Sequence, residues 1–556
     1  MTTFRCPPLS TENDLGPNTL GEFLRDAAAK HTAREAIVFY DGDERISWSY
    51  ADLDEHASDV ARALLAGGLA KGDRVALLMG NRPQWVAAAF GVARAGGVLV
   101  PINTYLEARE LEYVLNHPDA TILITQTQLA GHRYVETLTD LATPSLKRVI
   151  ALDAPQKNGE TGVETWDGFI ETGRRITPED LHARQGEISP DDDAVIIYTS
   201  GTTAVPKGVL SAHRPPCIQS RRFVKHLRLD EDVRAWSAFP FFWTAGFAMV
   251  MGATLAAGGC LVLQEMFEPN AAVRLLEKER VTTPHAWPHQ LAELETSPAW
   301  READLSAMRH IESFSPFGRH PSVHVAENAW SPRAAFGLTE TFTIITSVPS
   351  DAPPEIRDRA TGLILPGNEI RILHPETGAP LDPNEEGEIA VAGATLMKQY
   401  VKVPARETFD ADGFFHTGDA GYVDEDGFLH WTGRTGDMIK TGGANVSPVE
   451  IEMELLHHPH LKAAGAVGVP HETLGQMVVV VAVAQDGARI DEENVRGFLR
   501  GRLASYKIPR RVLFVDEAEL KLTGNQKIKP EDLRALAGAR LGSGLAAEPA
   551  DEPVRH

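Results

Sequence analysis

The run Tyr198-Thr199-Ser200-Gly201-Thr202-Thr203-Ala204-Val205-Pro206-Lys207-Gly208 restricts the fold more than any other stretch of the chain. Just before it, Ala194 to Ile197 are four apolar residues that read as a short buried strand. A run so rich in hydroxyls and glycine reads as a loop presented by that strand. Backbone N–H groups around Gly201, the hydroxyls of Thr199, Ser200, Thr202 and Thr203, and the ammonium of Lys207 have the composition of a cradle for a phosphate chain. It is not a Walker loop, because Lys207 is followed by Gly208 and not by the Ser or Thr that would hold magnesium. The same composition also suits a solvated Ser/Thr loop, an alternative that the run alone leaves open.

An anion cradle in this chain has to be a local feature. Lys and Arg number 54 against 77 Asp and Glu, a formal charge of -23, which disfavours nonspecific binding to nucleic acid or to an anionic membrane. With 556 residues, 43% of them hydrophobic, the chain can fill a large core and more than one domain. Cys6, Cys217 and Cys260 are far apart and lack paired spacing, so neither a disulfide framework nor a zinc site is indicated. Met1 to Pro17 has no apolar signal region, and no run of about 18 apolar residues follows. A soluble cytoplasmic protein is expected.

Elements alternate along the first third. Leu20, Phe23, Leu24 and Ala27 recur at helical spacing, Ala36 to Tyr40 reads as a strand, and Asp41-Gly42-Asp43 turns the chain. A helix is expected over Tyr50 to Ala66, then a buried strand over Val75 to Met79. Asn81 is placed to cap the next helix, with Pro83 in its first turn. Gly96-Gly97 ends that helix and Val98 to Pro101 resumes as strand. Repeated through Tyr113 and Thr121 to Thr125, this order argues for α/β layers with largely parallel sheets. Lys157 to Asp193 is polar and reads as a surface connection.

Further motifs carry chemistry. Phe239-Pro240-Phe241-Phe242-Trp243-Thr244-Ala245-Gly246 opens an apolar segment whose side chains suit either core packing or a pocket. In Phe336-Gly337-Leu338-Thr339-Glu340 the aromatic suits stacking on a purine, Thr339 a phosphate oxygen, and Glu340 a magnesium ion bridging phosphates. Asp419, in His416-Thr417-Gly418-Asp419, suits two hydrogen bonds from ribose hydroxyls, or else is a turn aspartate. Ser447, Pro448 and Glu450 make a strong helix start.

Together these motifs resemble the adenylate-forming superfamily, which includes acyl-CoA synthetases, peptide-synthetase adenylation domains and firefly-type luciferases. The acyl-CoA synthetase or fatty-acid–CoA ligase branch fits best, because Phe241, Phe242 and Trp243 offer no Asp to pair with an amino-acid substrate. The resemblance implies that Thr199, Ser200, Gly201, Thr202, Thr203 and Lys207 hold the nucleotide's phosphates. It adds Phe336, Gly337 and Thr339 to the nucleotide site, the aromatic at the purine and Thr339 at a phosphate, with Asp419 and Arg434 at the ribose and Lys440 close by. It implies that Phe242, Trp243 and Gly246 shape the acyl pocket and that Gly442 and Gly443 line the tunnel for the pantetheine arm of CoA. Gly436 falls at the hinge and Lys527 at the C-terminal lysine that contacts carboxylate and α-phosphate, although composition alone makes Lys527 a solvated charge. Thr202, Lys207, Glu340 and Lys527 are then the catalytic set, with Glu340 the metal ligand. The chain departs from the usual pattern at Ala204, Gly436, Gln526 and the segment Ser313 to Pro316.

The implied fold is α/β: a large N-terminal domain of stacked sheets and helices (residues 1–435), a small mobile α+β lid domain (436–541) and a polar tail (542–556). The implied function is ATP-dependent activation of a carboxylic acid as acyl-AMP and its transfer to CoA, with ATP, magnesium and coenzyme A required. Nothing in the sequence names the acid, and a homodimer is left open. Four alternatives remain: thioesterification of a preformed adenylate only, loading of a carrier protein, a luciferase-like oxygenase, and a non-catalytic nucleotide-binding protein.

Overall fold

Local signals in the sequence start the first helices where expected. The Thr19 hydroxyl accepts from the Glu22 N–H and opens Leu20–His31. Ser49 and Asp52 exchange side-chain and backbone bonds across the first turn of Tyr50–Ala66. Gly42, at positive φ, turns strand Glu35–Asp41 back into Glu44–Ser49. The computed structural model of the chain describes residues 3–542 except 14, 155–161, 200–205, 310, 312–314, 325–334, 349–355, 357–359, 435, 442–443, 472–473, 486, 501, 504–506 and 521–529.

Three sheets make the larger part of the molecule. An eight-stranded sheet runs in the order Gln399–Tyr400, Lys207–Ala212, Asp193–Thr199, Val98–Pro101, Arg74–Leu78, Ile122–Thr125, Arg148–Ala151, Val163–Thr165. It is parallel from Asp193–Thr199 to Val163–Thr165 and antiparallel at its first two pairings. A five-stranded sheet joins Thr283–His285, Arg234–Ser237, Cys260–Val262, Glu35–Asp41 and Glu44–Ser49, with only the last pairing antiparallel. Side chains from both sheets share one core with helix Pro83–Ala95, which is buried over almost its whole circumference. A helix so enclosed carries apolar residues on every face, as its Ala- and Val-rich sequence does.

The third sheet, seven-stranded and antiparallel throughout, was not legible in the βαβ alternation. It includes Phe415–Val423 and Phe428–Arg434, the strands that carry Asp419 and Arg434. Residues 439–514 form a separate sheet of Ala444–Val446, Ile439–Thr441, Gly475–Ala484, Leu461–His471 and Arg511–Phe514. Ser447 joins the two regions: its hydroxyl accepts from the Glu450 N–H, capping helix Pro448–Leu455, and donates to the Thr432 carbonyl. Among the described residues no helix is long and apolar enough to cross a membrane.

Two sequence expectations are corrected. Within Lys157 to Asp193 the described residues form strand Val163–Thr165 and helices Trp166–Thr172 and Pro178–Gly186, not a plain connection. Caps at Thr165 and Thr177 start these helices, and Phe169 and Leu181 anchor them, so few large apolar residues suffice. Nor does Asn81 cap the helix that follows it; Arg82 holds the cap position without a side-chain bond. Asn81 is buried, donating to the Phe239 carbonyl and accepting from the Phe241 N–H at 3.0 Å each, because that irregular segment has no ladder partner for those groups.

Histidines removed from water make fold stability pH-dependent: burial pushes the pKa of His213, His226 and His285 down to about 4. His213, between strand Lys207–Ala212 and helix Arg214–His226, is 1% exposed and accepts the Leu20 N–H at Nδ1. Burial pushes its pKa down to about 4, against a smaller upward pull from Asp192 and Asp193. Above the unfolded value near 6.5 the ring is neutral in both states and its contribution is complete. Between there and about 4 only the unfolded chain takes the proton, so stability falls as pH falls, by up to about 3 kcal/mol. Denaturant midpoints measured from pH 7 to pH 4.5 are expected to show this slope, and His213→Gln to lessen it, the shares of His226 and His285 remaining.

Candidate functional site

The hydroxyl-rich run closes a hairpin. Strand Asp193–Thr199 extends two residues beyond the expected apolar four, and Lys207–Ala212 returns antiparallel with Lys207 opposite Thr199. The connection is therefore 200–206, and Thr199 and Lys207 stand at its two ends. Tyr198 and Gly208 are strand residues because their backbones pair with each other across the hairpin. At the base, the Tyr113 hydroxyl donates to the Pro206 carbonyl at 3.2 Å and the Tyr198 hydroxyl meets His117 Nδ1 at 2.8 Å. Ser200, Gly201, Thr202, Thr203 and Ala204 lie outside the described residues, as do Gly442, Gly443 and Lys527.

Gly337-Leu338 pairs with Thr343-Ile344, and the residues between turn tightly through the 3-10 helix Thr339–Thr341. The pairing needs a glycine: a Cβ on Gly337 would stand 1.8 Å from the Thr343 carbonyl oxygen. Gln219, fully buried, pins the turn by donating to the carbonyls of Thr341 and Ile344. Glu340 projects from it, partly exposed, its Oε1 accepting the Tyr400 hydroxyl at 2.6 Å. Its Oε2 has no hydrogen bond or ion pair among the described residues. Lys207 Nζ stands 5.0 Å from the centroid of the same Tyr400 ring. Phe336 is 6% exposed and packs with Val209, Ile345 and Ile364, so in this structure little of its ring is open to a purine.

Asp419 is not a turn residue. It sits within strand Phe415–Val423 opposite Arg434, whose Nε lies 3.0 Å from Asp419 Oδ1, and Trp431 Nε1 donates to the same oxygen at 3.3 Å. Burial pushes the Asp419 carboxyl up, Arg434 and Trp431 pull it down, and the charges of Glu340 and Glu388 add to the rise. Arg434 likewise bears on Tyr400. Lys207, Tyr400 and Glu340 thus form one set of contacts and Asp419, Arg434 and Trp431 a second, and the Tyr400 ring links them by packing at 6.1 Å on Phe415 of the Asp419 strand. Tyr400 and Trp431 had no sequence signal; the one belongs to a two-residue strand, and the other faces Asp419 only through pairing across the hairpin.

In the aromatic segment Phe239, Phe241 and Phe242 are buried and Trp243 is partly exposed. Phe241 packs on Trp85 with ring centroids 5.3 Å apart and belongs to the core. Phe242 meets Trp243 and Tyr105 edge to face, and Tyr105 is exposed. Gly246 admits the turn that brings them together, since a Cβ there would stand 2.1 Å from the Pro240 carbonyl oxygen. Phe239 and Trp287 continue the aromatic surface at 4.4 Å.

Two expected site residues stand apart from this group. Gly436 is exposed, in the connection between strands Phe428–Arg434 and Ile439–Thr441, with no heavy atom within 4 Å of where a Cβ would be. Lys440 is exposed on the latter strand, its N–H donating to Gln476 Oε1 at 2.8 Å. Ser315, in the segment expected near adenine, caps the short helix Pro316–Arg319. A cavity of about 1160 Å³ opens elsewhere, near Trp48, Arg94 and Trp166, and none of the expected site residues lines it.

Comparison with known proteins places this geometry. Residues 24–401 match the model of the AMP-binding enzyme family and residues 450–527 that of the AMP-binding enzyme C-terminal domain. A putative acyl-CoA synthetase of Bacillus subtilis, YngI, is 30% identical over 92% of this chain and 96% of its own length. A feruloyl-CoA synthase from Amycolatopsis is 32% identical over 88% and 94%. Among solved structures, ATP-bound MatB from Rhodopseudomonas palustris superposes with a TM-score of 0.71 at 29% identity, covering 93% of this chain and 98% of that one.

Proposed function

The chain belongs to the AMP-binding enzyme family, and from that premise we propose that it is an ATP-dependent acyl-CoA synthetase. In its first half-reaction the acid's carboxylate oxygen attacks the α-phosphorus of ATP, the α–β phosphoanhydride bond breaks, and pyrophosphate leaves. In the second, the CoA sulfur attacks the acyl carbon, the thiol loses its proton, and AMP leaves. No side-chain nucleophile is needed, so the protein's work is charge neutralisation and positioning. The observation that carries this reading is that Tyr400 gathers Lys207 and Glu340, a cation and a carboxylate with one oxygen unengaged among the described residues, and packs on the strand where Arg434 holds the buried Asp419 carboxylate.

The proposed roles follow from those surroundings. Lys207, with Thr199 and the hydroxyls of 200–203, neutralises and orients the phosphates. Asp419, held by Arg434 and Trp431, accepts from the ribose hydroxyls. Glu340 fits magnesium, which is commonly held by one or two carboxylates together with phosphate oxygens and water, and its Oε2 is unengaged among the described residues. Bound there, the ion supplies positive charge to the phosphate chain. Rotation at Gly436 between two domains, with Lys527 engaged only in the first half-reaction, completes the scheme; Gly442 and Gly443 border the path of the pantetheine arm.

Phe242 and Trp243, with Tyr105 beside them, are assigned to the acyl pocket. Trp243→Ala is expected to shift kcat/KM toward larger acids by about tenfold or more, read by competing acids of graded size. An unchanged preference in a folded variant would move Trp243 out of the pocket.

The overall reading is tested by incubating a panel of carboxylic acids with ATP and CoA and identifying acyl-CoA by mass spectrometry, beside pyrophosphate–ATP exchange. Exchange and thioester from the same acid establish both half-reactions. Thioester formed only from synthetic adenylates would leave the second alone. Transfer to a carrier protein but not to CoA would make the chain a loading enzyme, and nucleotide binding without any turnover would make it non-catalytic.

A further inference from the structure

Three side chains from three elements meet at one ring. Lys207 opens its strand, Tyr400 ends the short strand paired beside it, and Glu340 projects from the 3-10 turn. Tyr400 Oη donates to Glu340 Oε1 at 2.6 Å while Lys207 Nζ faces the ring at 5.0 Å from its centroid. No ion pair joins Lys207 to Glu340 among the described residues. An ammonium and a carboxylate at the border of one site attract, and direct contact would satisfy each with the other and withdraw both from a ligand. Here both engage one ring, the cation at its face and the carboxylate at its hydroxyl. Its face attracts the cation through the π quadrupole, and its hydroxyl engages one carboxylate oxygen while leaving the other.

The backbone fixes this spacing from both sides. Tyr400 pairs with Val209 in the strand that starts at Lys207, and the Val401 N–H donates to the Gly208 carbonyl at 2.8 Å. Three residues earlier, the Met397 N–H donates to the carbonyl of Glu340 itself at 2.7 Å. Residues 397–401 therefore bridge the element that carries the cation and the turn that carries the carboxylate. Burial and the Glu340 charge both push the Tyr400 pKa upward, so its hydroxyl keeps its proton at any working pH.

We propose that Tyr400 is a positioning residue for the first half-reaction, holding Glu340 and Lys207 apart and aimed so that the nucleotide's phosphates and their cation enter without breaking an ion pair. This rests on the roles assigned to Glu340 and Lys207 above. Tyr400→Phe keeps the ring and removes the hydroxyl; Tyr400→Leu removes both. The readouts are calorimetric ATP binding across a magnesium series without acid, pyrophosphate–ATP exchange, thioesterification of a synthetic adenylate, and the thermal midpoint.

Tyr400→Phe is expected to raise the magnesium concentration for half-maximal ATP binding by about tenfold, the weight of one hydrogen bond to a charged group. Its thermal midpoint and thioesterification stay near those of the parent. Tyr400→Leu adds a weakening of ATP binding that saturating magnesium does not restore, because Lys207 then closes on Glu340. Adding Tyr400→Phe to Glu340→Gln produces little further change, since both act through one carboxylate. An unaltered magnesium dependence in Tyr400→Phe, beside an altered one in Glu340→Gln, would overturn the role of Tyr400 and leave that of Glu340 standing. Equal losses in both half-reactions with a lowered midpoint would make Tyr400 structural. An unaltered dependence in Glu340→Gln would remove the reading of Glu340, and this inference with it.

Discussion

Lys527→Ala is expected to lower pyrophosphate–ATP exchange by roughly a hundredfold or more while thioesterification of a synthetic acyl adenylate stays within a few-fold of the parent rate. In the proposed scheme the lysine meets the incoming carboxylate and the α-phosphate, where negative charge concentrates as the acyl–phosphate bond forms. A cation aimed at that point contributes to the transition state of adenylation and to nothing in the later attack by sulfur. Lys527 lies outside the described residues, and its assignment rests on its register in Leu522 to Ile528 and on the C-terminal family match that extends to 527. A rotation at Gly436 would carry it away before CoA attacks. Equal loss from free acid and from preformed adenylate would show that the lysine serves both steps and that the rotation does not remove it.

Gly337→Ala is the second large effect, and its cause is steric. The added Cβ would meet the Thr343 carbonyl oxygen at 1.8 Å, its carbon at 2.5 Å and Ile344 Cα at 2.6 Å, all backbone atoms of the paired strand. Backbone cannot swing aside as a flexible side chain can, so the pairing of Gly337-Leu338 with Thr343-Ile344 has to open. The turn is already tightly constrained: Phe342 and Thr343 both have positive φ, and Gln219 holds its carbonyls from below. Opening it displaces Thr339 and Glu340 together. Exchange is expected to fall at least a hundredfold and the thermal midpoint by several degrees, consistent with a cost of about 3 kcal/mol or more. A variant with parental exchange and midpoint would mean that the strand pairing is not as described.

Short-range physics explains what was legible in the sequence. The helices Leu20–His31 and Tyr50–Ala66 were readable because apolar spacing, a capping hydroxyl and the first-turn acid all lie within a few residues. Strand positions in the parallel sheet were readable because a strand buried on both faces is apolar throughout. Glu340, Asp419 and Lys207 were singled out by residue type and neighbours; the structure places Lys207 and Glu340 about the Tyr400 ring and Asp419 against Arg434 and Trp431. Phe336, chosen for its aromatic face, turned out to be mostly enclosed by Val209, Ile345 and Ile364, contacts that its own motif does not specify.

Pairing across long sequence separations decided the rest. Asn81 has the residue type of a helix cap, but a buried amide goes to whichever unpaired backbone groups the fold brings near it, and those belong to Phe239 and Phe241. Tyr400 follows Glu340 by 60 residues, and nothing local marks it. Its contact with both cation and carboxylate comes from one short strand added to the sheet edge beside Lys207. The sequence by itself thus determined which groups are present and the local elements on which they ride. Tertiary structure determined which of them meet, because the energy of a contact depends on distance in space, whereas the patterns that can be read along a chain extend over only a few residues.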